Sequence, residues 1–168
     1  MIKNNKISLY GMLIAVAFLL SYIESIFPLP MLVPGMKIGL ANIVALFALY
    51  RMGAKEAAIL SFIRILLVAF TFANLYSLLY SIAGAGLSLL MMMLLKRTGK
   101  FSIIGVSIVG AIMHNVGQIL VAIMVIDSVN LVYILPILSL TGIGTGTIIG
   151  ILAGIITKRF QYMENHTD

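Results

Sequence analysis

One arginine, Arg64, interrupts a long apolar part of the chain, and no residue from Ile65 to Leu95 is charged. A guanidinium in such surroundings needs an anion, a carboxylate or several carbonyl oxygens as partners. The five acidic residues of the chain are Glu24, Glu56, Asp127, Glu164 and Asp168. None of them is expected at the depth of Arg64, so two interpretations stay open. Arg64 is either a structural arginine that hydrogen-bonds to helix ends or headgroups, or the anchor for an anionic ligand group.

Polar side chains also gather in a later apolar stretch, where His114, Asn115 and Gln118 lie within five residues. His114 and Gln118 are four residues apart, so a helix places them on one face, with Asn115 at its edge. Such groups form either a polar pocket or proton relay, or hydrogen bonds between helices. The cluster favours a pocket, with Asn42 as a weaker member. A lone histidine without an acid at its depth does not make a metal site, and we expect no metal and no cofactor.

The composition places these residues in a membrane protein. Of 168 residues, 62% are hydrophobic and 10% are charged, against roughly 45–50% and 25% in soluble domains. With a mean hydropathy of +1.17, the chain lacks the polar surface that a water-soluble enzyme needs. The absence of Cys excludes disulfides, thiolate metal sites and cysteine nucleophiles. We therefore predict one all-α integral membrane domain over residues 1–168.

Six membrane helices follow from the apolar runs and their polar breaks. The uncharged run Ile65–Leu95 would extend roughly 46 Å as one helix, well beyond a bilayer, so we divide it at Thr71–Ser77. The run Ile38–Tyr50 reaches only about 20 Å, which predicts a short second span. The predicted helices are residues 7–27, 36–50, 54–72, 76–95, 102–126 and 131–157.

The basic residues indicate the orientation of this six-helix bundle. With the amino terminus inside, the cytoplasmic segments contain Lys3, Lys6, Arg51, Lys55, Lys96, Arg97, Lys100, Lys158 and Arg159. Only Lys37 falls in an outer loop. Because Lys and Arg collect in cytoplasmic loops, we predict a multi-pass protein of the cell membrane with both termini cytoplasmic. Topology thus accounts for the net charge of +6, and nothing supports nucleic-acid binding.

Small residues predict where helices approach closely. A glycine ridge on the last span consists of Gly142, Gly146, Gly150 and Gly154, at four-residue spacing. Gly11 and Ala15 repeat that spacing on the first span. Such ridges let helix backbones pack against each other, and they say little about function.

The segment from Leu29 to Ile43, LPMLVPGMKIGLANI, is the most distinctive in the chain. It resembles the Gx transporter family, whose members carry the label component I of heptaprenyl diphosphate synthase. That family is similar to the substrate-binding S components of energy-coupling factor (ECF) transporters, which work with a membrane coupling subunit and two ATPases. The resemblance implies a lid role over an outward-facing pocket for the loop with Pro30, Pro34, Gly35 and Lys37. It also implies a docking role for Gly11 and Ala15.

Three functions remain in competition. The first is capture of a small anionic solute, with Arg64 holding the anion, Lys37, Asn42, His114, Asn115 and Gln118 assisting, and separate subunits supplying energy. The second is a non-catalytic membrane subunit that recruits a soluble prenyltransferase. The chain has no paired aspartates to hold magnesium on a diphosphate and no phosphate-binding loop, so we expect no catalytic residue and no enzyme activity. The third, a proton-driven transporter using His114, ranks last because the two halves share no motif.

Overall fold

The protein is an all-helical bundle in the part of the chain that the structure describes. This computed structural model describes residues 2–26, 39–71, 74–164 and 166, and no strand occurs among them. The α-helices are α1 (Ile2–Ile26), α2 (Asn42–Arg51), α3 (Ala54–Thr71), α4 (Leu75–Thr98), α5 (Ile103–Ile126) and α6 (Leu135–Glu164). A 3₁₀ helix, Val129–Ile134, precedes α6.

Within the described residues, four segments are long and apolar enough to cross a membrane. They are Ile7–Ile26, Leu75–Thr98, Ile103–Ile126 and Val129–Met163, which supports the predicted membrane-protein class. The third helix has the length of a span, but unlike these four segments it contains three charged residues, Lys55, Glu56 and Arg64. The second helix has 10 residues and is about 15 Å long. Six spans and cytoplasmic termini therefore stay predictions.

Three helix starts differ from the sequence prediction, and the first helix begins at Ile2 instead of residue 7. The second helix, predicted from residue 36, begins at Asn42 because Gly39 has a φ of +89° and a turn occupies residues 40–41. The last span, predicted over 131–157, first forms the 3₁₀ turn and becomes α-helical at Leu135. Pro136 is the second residue of α6, where its missing N–H costs no helix hydrogen bond.

The second helix lies at the centre of the bundle. All residues from Val44 to Leu49 are buried, together with Asn42 at its start. A helix that is apolar on every side is enclosed by other helices. Consistent with this, its core neighbours include Leu13 of α1, Leu60 of α3 and Ile149 of α6. The start of α2 is therefore held inside the protein.

Glycines bring α5 into close contact with both α4 and α6. A Cβ on Gly117 would lie 2.5 Å from the carbonyl oxygen of Ala83 on α4. On the other side, a Cβ on Gly146 or Gly150 of α6 would lie 2.7 Å from an α5 Cα atom. Gly142 also faces the α5 backbone, and Gly154 meets the side chain of Ile103. The three helices thus form a tightly packed layer that fixes the rotation of α5.

Candidate functional site

The candidate site is built around the turn that precedes α2. The amide N–H of Asn42 donates to the carbonyl of Gly39 at 2.9 Å, which closes the turn. A Cβ on Gly39 would lie 2.8 Å from the Asn42 side-chain nitrogen and 3.4 Å from Cδ2 of His114. Both the positive φ and this close approach require glycine. The turn therefore brings Asn42 together with the imidazole of α5.

The α5 side of the site consists of His114 and Gln118, which are buried with 3% and 2% exposure. The side-chain nitrogen of Gln118 lies 3.2 Å from Nε2 of His114, as their four-residue spacing predicts. Gly84 of α4 covers this pair, because a Cβ there would lie 3.0 Å from both side chains. The close α4–α5 packing thus brings the backbone of Gly84 into contact with the side chains of His114 and Gln118.

Arg64 of α3 is also buried, with 7% of its surface exposed. Its Nη1 donates to Ser21 Oγ of α1 at 3.4 Å, which is a long hydrogen bond. Glu24, one turn further along α1, is near enough for its charge to act on the guanidinium. The sequence indicated no acid at the depth of Arg64 and placed Glu24 near the outer face. The structure shows Glu24 buried inside the protein like Arg64, one helical turn from the serine that Arg64 contacts.

Glu24 joins the two parts of the site. Its Oε1 accepts hydrogen bonds from the backbone N–H groups of Gly39, at 2.5 Å, and Leu40, at 2.8 Å. These donors precede the first turn of α2, where a helix start favours a negative charge. Since Ala41 supplies no side-chain cap, a residue of α1 caps α2. We call the following set the polar cluster: Ser21, Glu24, Gly39, Asn42, Arg64, His114 and Gln118.

One predicted site residue lies elsewhere. Asn115 donates from its side chain to the carbonyl oxygen of Leu138 at 2.6 Å, and its nitrogen faces Gly142 of α6. It therefore joins α5 to α6, because the helix turns it about 100° away from His114. This places Asn115 in helix packing and outside the polar cluster.

Other predicted residues lie on the outside of the bundle or beyond its described part. On α1, Gly11 and Ala15 are exposed, and a Cβ on Gly11 would meet nothing within 4 Å. Within the described residues, nothing covers these two positions. Lys37 and the lid residues Pro30, Pro34 and Gly35 lie outside the described residues.

Sequence reasoning missed three members of the polar cluster, Ser21, Glu24 and Gly39. Ser21 and Glu24 are three residues apart on α1, a spacing that places polar side chains on one face of a helix. That signal was available and would have pointed to a polar face on the first span. Gly39 carried no signal, since only the folded chain shows its φ.

A model of a known protein family matches most of this chain. The model described as heptaprenyl diphosphate synthase component I matches residues 13–156. The chain belongs to the heptaprenyl diphosphate synthase component I family. This confirms the resemblance that Leu29–Ile43 indicated, whereas the likeness to ECF S components stays a prediction. No curated protein and no solved structure matches the chain.

The match covers the whole polar cluster of this component I protein. Within the described residues there is no group of three or more His, Cys, Asp or Glu side chains that would hold a metal ion. What the cluster offers is a guanidinium, a carboxylate, an imidazole and two amides, all shielded from solvent. Such groups bind and orient a polar molecule through hydrogen bonds and charge.

Proposed function

We propose that this protein is a solute-binding component of the cell membrane that captures a small anionic solute from the outer face. Arg64 would hold the anionic group, and Asn42, His114 and Gln118 would donate or accept further hydrogen bonds. Separate partner subunits would supply the energy for transport, and the protein itself would catalyse no reaction.

The observation that carries this proposal is the bonding of Arg64. A guanidinium has five N–H donors, and a buried one is costly unless acceptors surround it. Arg64 is buried, with only 7% of its surface exposed. Even so, it makes a single long hydrogen bond to the described residues, to Ser21. The remaining donors are suited to an acceptor from outside the described chain, and a solute carboxylate or similar anion meets that need.

The position of the polar cluster supports the same function. Polar groups at membrane depth face a cavity or the bundle interior, and they often mark a substrate pathway. Transport proteins also place interrupted helices at their binding sites. The α2 helix likewise begins inside the bundle, at a turn that contacts Glu24 of α1 and His114 of α5.

The family description favours a second candidate. A component of a heptaprenyl diphosphate synthase would act as a non-catalytic membrane subunit that recruits a soluble prenyltransferase. Recruitment would use the basic cytoplasmic segments near Arg51–Lys55 and Lys96–Lys100, with no need for Arg64.

Purification from the native membrane in a gentle detergent separates the two candidates. Solute capture predicts that a membrane coupling subunit and ATPases accompany the protein, and that Arg64→Gln leaves these partners in place. A soluble prenyltransferase as the sole stoichiometric partner, equally retained by wild type and Arg64→Gln, would overturn solute capture in favour of recruitment.

A further inference from the structure

A groove between α1 and α6 lies outside the polar cluster. Both helices pack against α2, but over the described residues they scarcely contact each other. The gap between them has a volume of about 230 Å³, and its lining is entirely apolar. We call it the α1–α6 groove, and the residues that define it include Met12, Val16, Leu20, Val44, Phe47 and Phe160.

The dimensions of the α1–α6 groove suit a single hydrocarbon chain. The groove follows α1 from Met12 to Leu20, a rise of about 12 Å, so its volume corresponds to a cross-section of about 19 Å². A single file of carbon atoms that keep about 4 Å from their neighbours needs about 16 Å². A helix with its side chains is about 10–12 Å across and needs about 80 Å² or more. The groove therefore encloses one alkyl chain and is too narrow for a helix of another subunit.

The groove opens to the outside of the bundle. Met12 and Val16 are 48% and 40% exposed. A lining without polar atoms gives water no hydrogen-bond partner, and apolar cavities of this kind stay dry. In a membrane the medium that surrounds the bundle is hydrocarbon, so an acyl chain of a lipid is the occupant that fits both the size and the lining.

Basic residues stand at one end of the groove. The rings of Phe47 and Phe160 pack with their centroids 5.3 Å apart, so α2 and α6 meet there. Lys158 and Arg159 directly precede Phe160 on α6, and both are exposed. Lysine and arginine beside a membrane span attract anionic lipid headgroups. We propose that the α1–α6 groove binds one acyl chain of an anionic phospholipid, with the lipid phosphate at Lys158 and Arg159.

Filling the groove tests where the acyl chain binds. Val16→Phe adds a ring to the groove, whereas Leu19→Phe adds a ring at an exposed position of α1 that does not line it. Native mass spectrometry of the delipidated full chain in detergent measures the binding of phosphatidylglycerol. We expect Val16→Phe to bind it at least about tenfold more weakly than Leu19→Phe, because losing two buried methylene groups already costs about tenfold. Equal binding by the two variants would overturn the proposal.

A pair of charge variants tests the headgroup. Lys158→Gln/Arg159→Gln removes the basic pair at the groove, and Arg97→Gln/Lys100→Gln removes two exposed charges near the end of α4 as a control. Wild type and the control should prefer phosphatidylglycerol to phosphatidylcholine with the same acyl chains by at least about tenfold, since each basic residue near a membrane surface contributes about fivefold. Lys158→Gln/Arg159→Gln should bind both lipids alike. Equal affinity of wild type for the two lipids contradicts the proposal, and so does an unchanged preference in Lys158→Gln/Arg159→Gln.

A photoreactive phosphatidylglycerol covers the case in which Val16→Phe does not fold. The reactive group is placed on the acyl chain, and mass spectrometry locates the labelled peptides of the wild-type protein in its native membrane. Labels concentrated on residues 12–20 and around Phe160 support the proposal. Labels spread evenly over the outward faces of α4 and α5 overturn it. Labels that reach the groove only after detergent extraction also overturn it, because another polypeptide would then cover the groove in the membrane.

Discussion

Replacing Gly117 by Ala tests whether the α4–α5 crossing holds the α5 side of the polar cluster. The added Cβ would lie 2.5 Å from the carbonyl oxygen of Ala83 and 2.9 Å from Cα of Gly84. Both are backbone atoms, which no side-chain rotation can move. Restoring ordinary contact at about 3.4 Å requires the helices to separate by about 0.9 Å at this point. His114 and Gln118 would then lose the close cover of Gly84.

The size of the effect follows from this overlap. Forcing an extra methyl group into a well-packed site costs about 1–3 kcal/mol. Gly86→Ala on α4 is the matched control, because its Cβ meets nothing within 4 Å and alanine favours a helix by about 0.5–1 kcal/mol. Both substitutions gain this helix preference, so it cancels, and we expect the free energy of unfolding of Gly117→Ala to lie about 1–3 kcal/mol below that of Gly86→Ala.

Unfolding by sodium dodecyl sulfate in mixed micelles, followed by circular dichroism, measures this difference. The far-ultraviolet helix signal suits the chain, which has no Trp for fluorescence. Equal stability of the two variants would refute the reasoning, since it would mean that α4 and α5 do not touch at Gly117.

Two further variants test hydrogen bonds that join neighbouring helices. Asn115→Ala removes the hydrogen bond to Leu138 and should lower the free energy of unfolding by about 1 kcal/mol. Solute retention should stay unchanged in this variant. A loss of solute retention would place Asn115 in the binding site. Lys96→Met removes the bond from Nζ to the carbonyl of Leu49 and should cost about 1.5–3 kcal/mol. Lys100→Met, at an exposed position, is the control for Lys96→Met, and equal stability of these two lysine variants would contradict the contact.

Helix positions were predictable where apolar runs end at charged or helix-capping residues. The spans predicted at 76–95 and 102–126 are observed as Leu75–Thr98 and Ile103–Ile126. Local signals set these ends, since Asn74 and Ser102 cap the helix starts. Lysine and arginine also favour helix, which lets α4 continue beyond its apolar part.

The start of α2 was not predictable in the same way. Its start depends on a carboxylate from another helix and on a positive φ at Gly39. Both are tertiary features. The apolar pattern around Gly39 predicts an uninterrupted helix instead. A sequence signal for one helix cannot report which partner caps it.

The candidate site was predictable where a single helix sets the geometry. The spacing of His114 and Gln118 placed them on one face, and they do meet. The approach of Glu24 to Arg64 depends instead on the relative depth and rotation of α1 and α3, which periodicity does not specify. For the same reason, Asn115 was grouped with His114 although it packs against α6.

The most direct test of the central claim is mass spectrometry of the small molecules that the protein retains after purification from its native membrane. Wild type, Arg64→Gln and Asn115→Ala are compared in the same detergent. The account predicts that wild type and Asn115→Ala retain the same anionic solute and that Arg64→Gln retains none. An anion retained equally by Arg64→Gln would contradict the assignment of the polar cluster as its binding site.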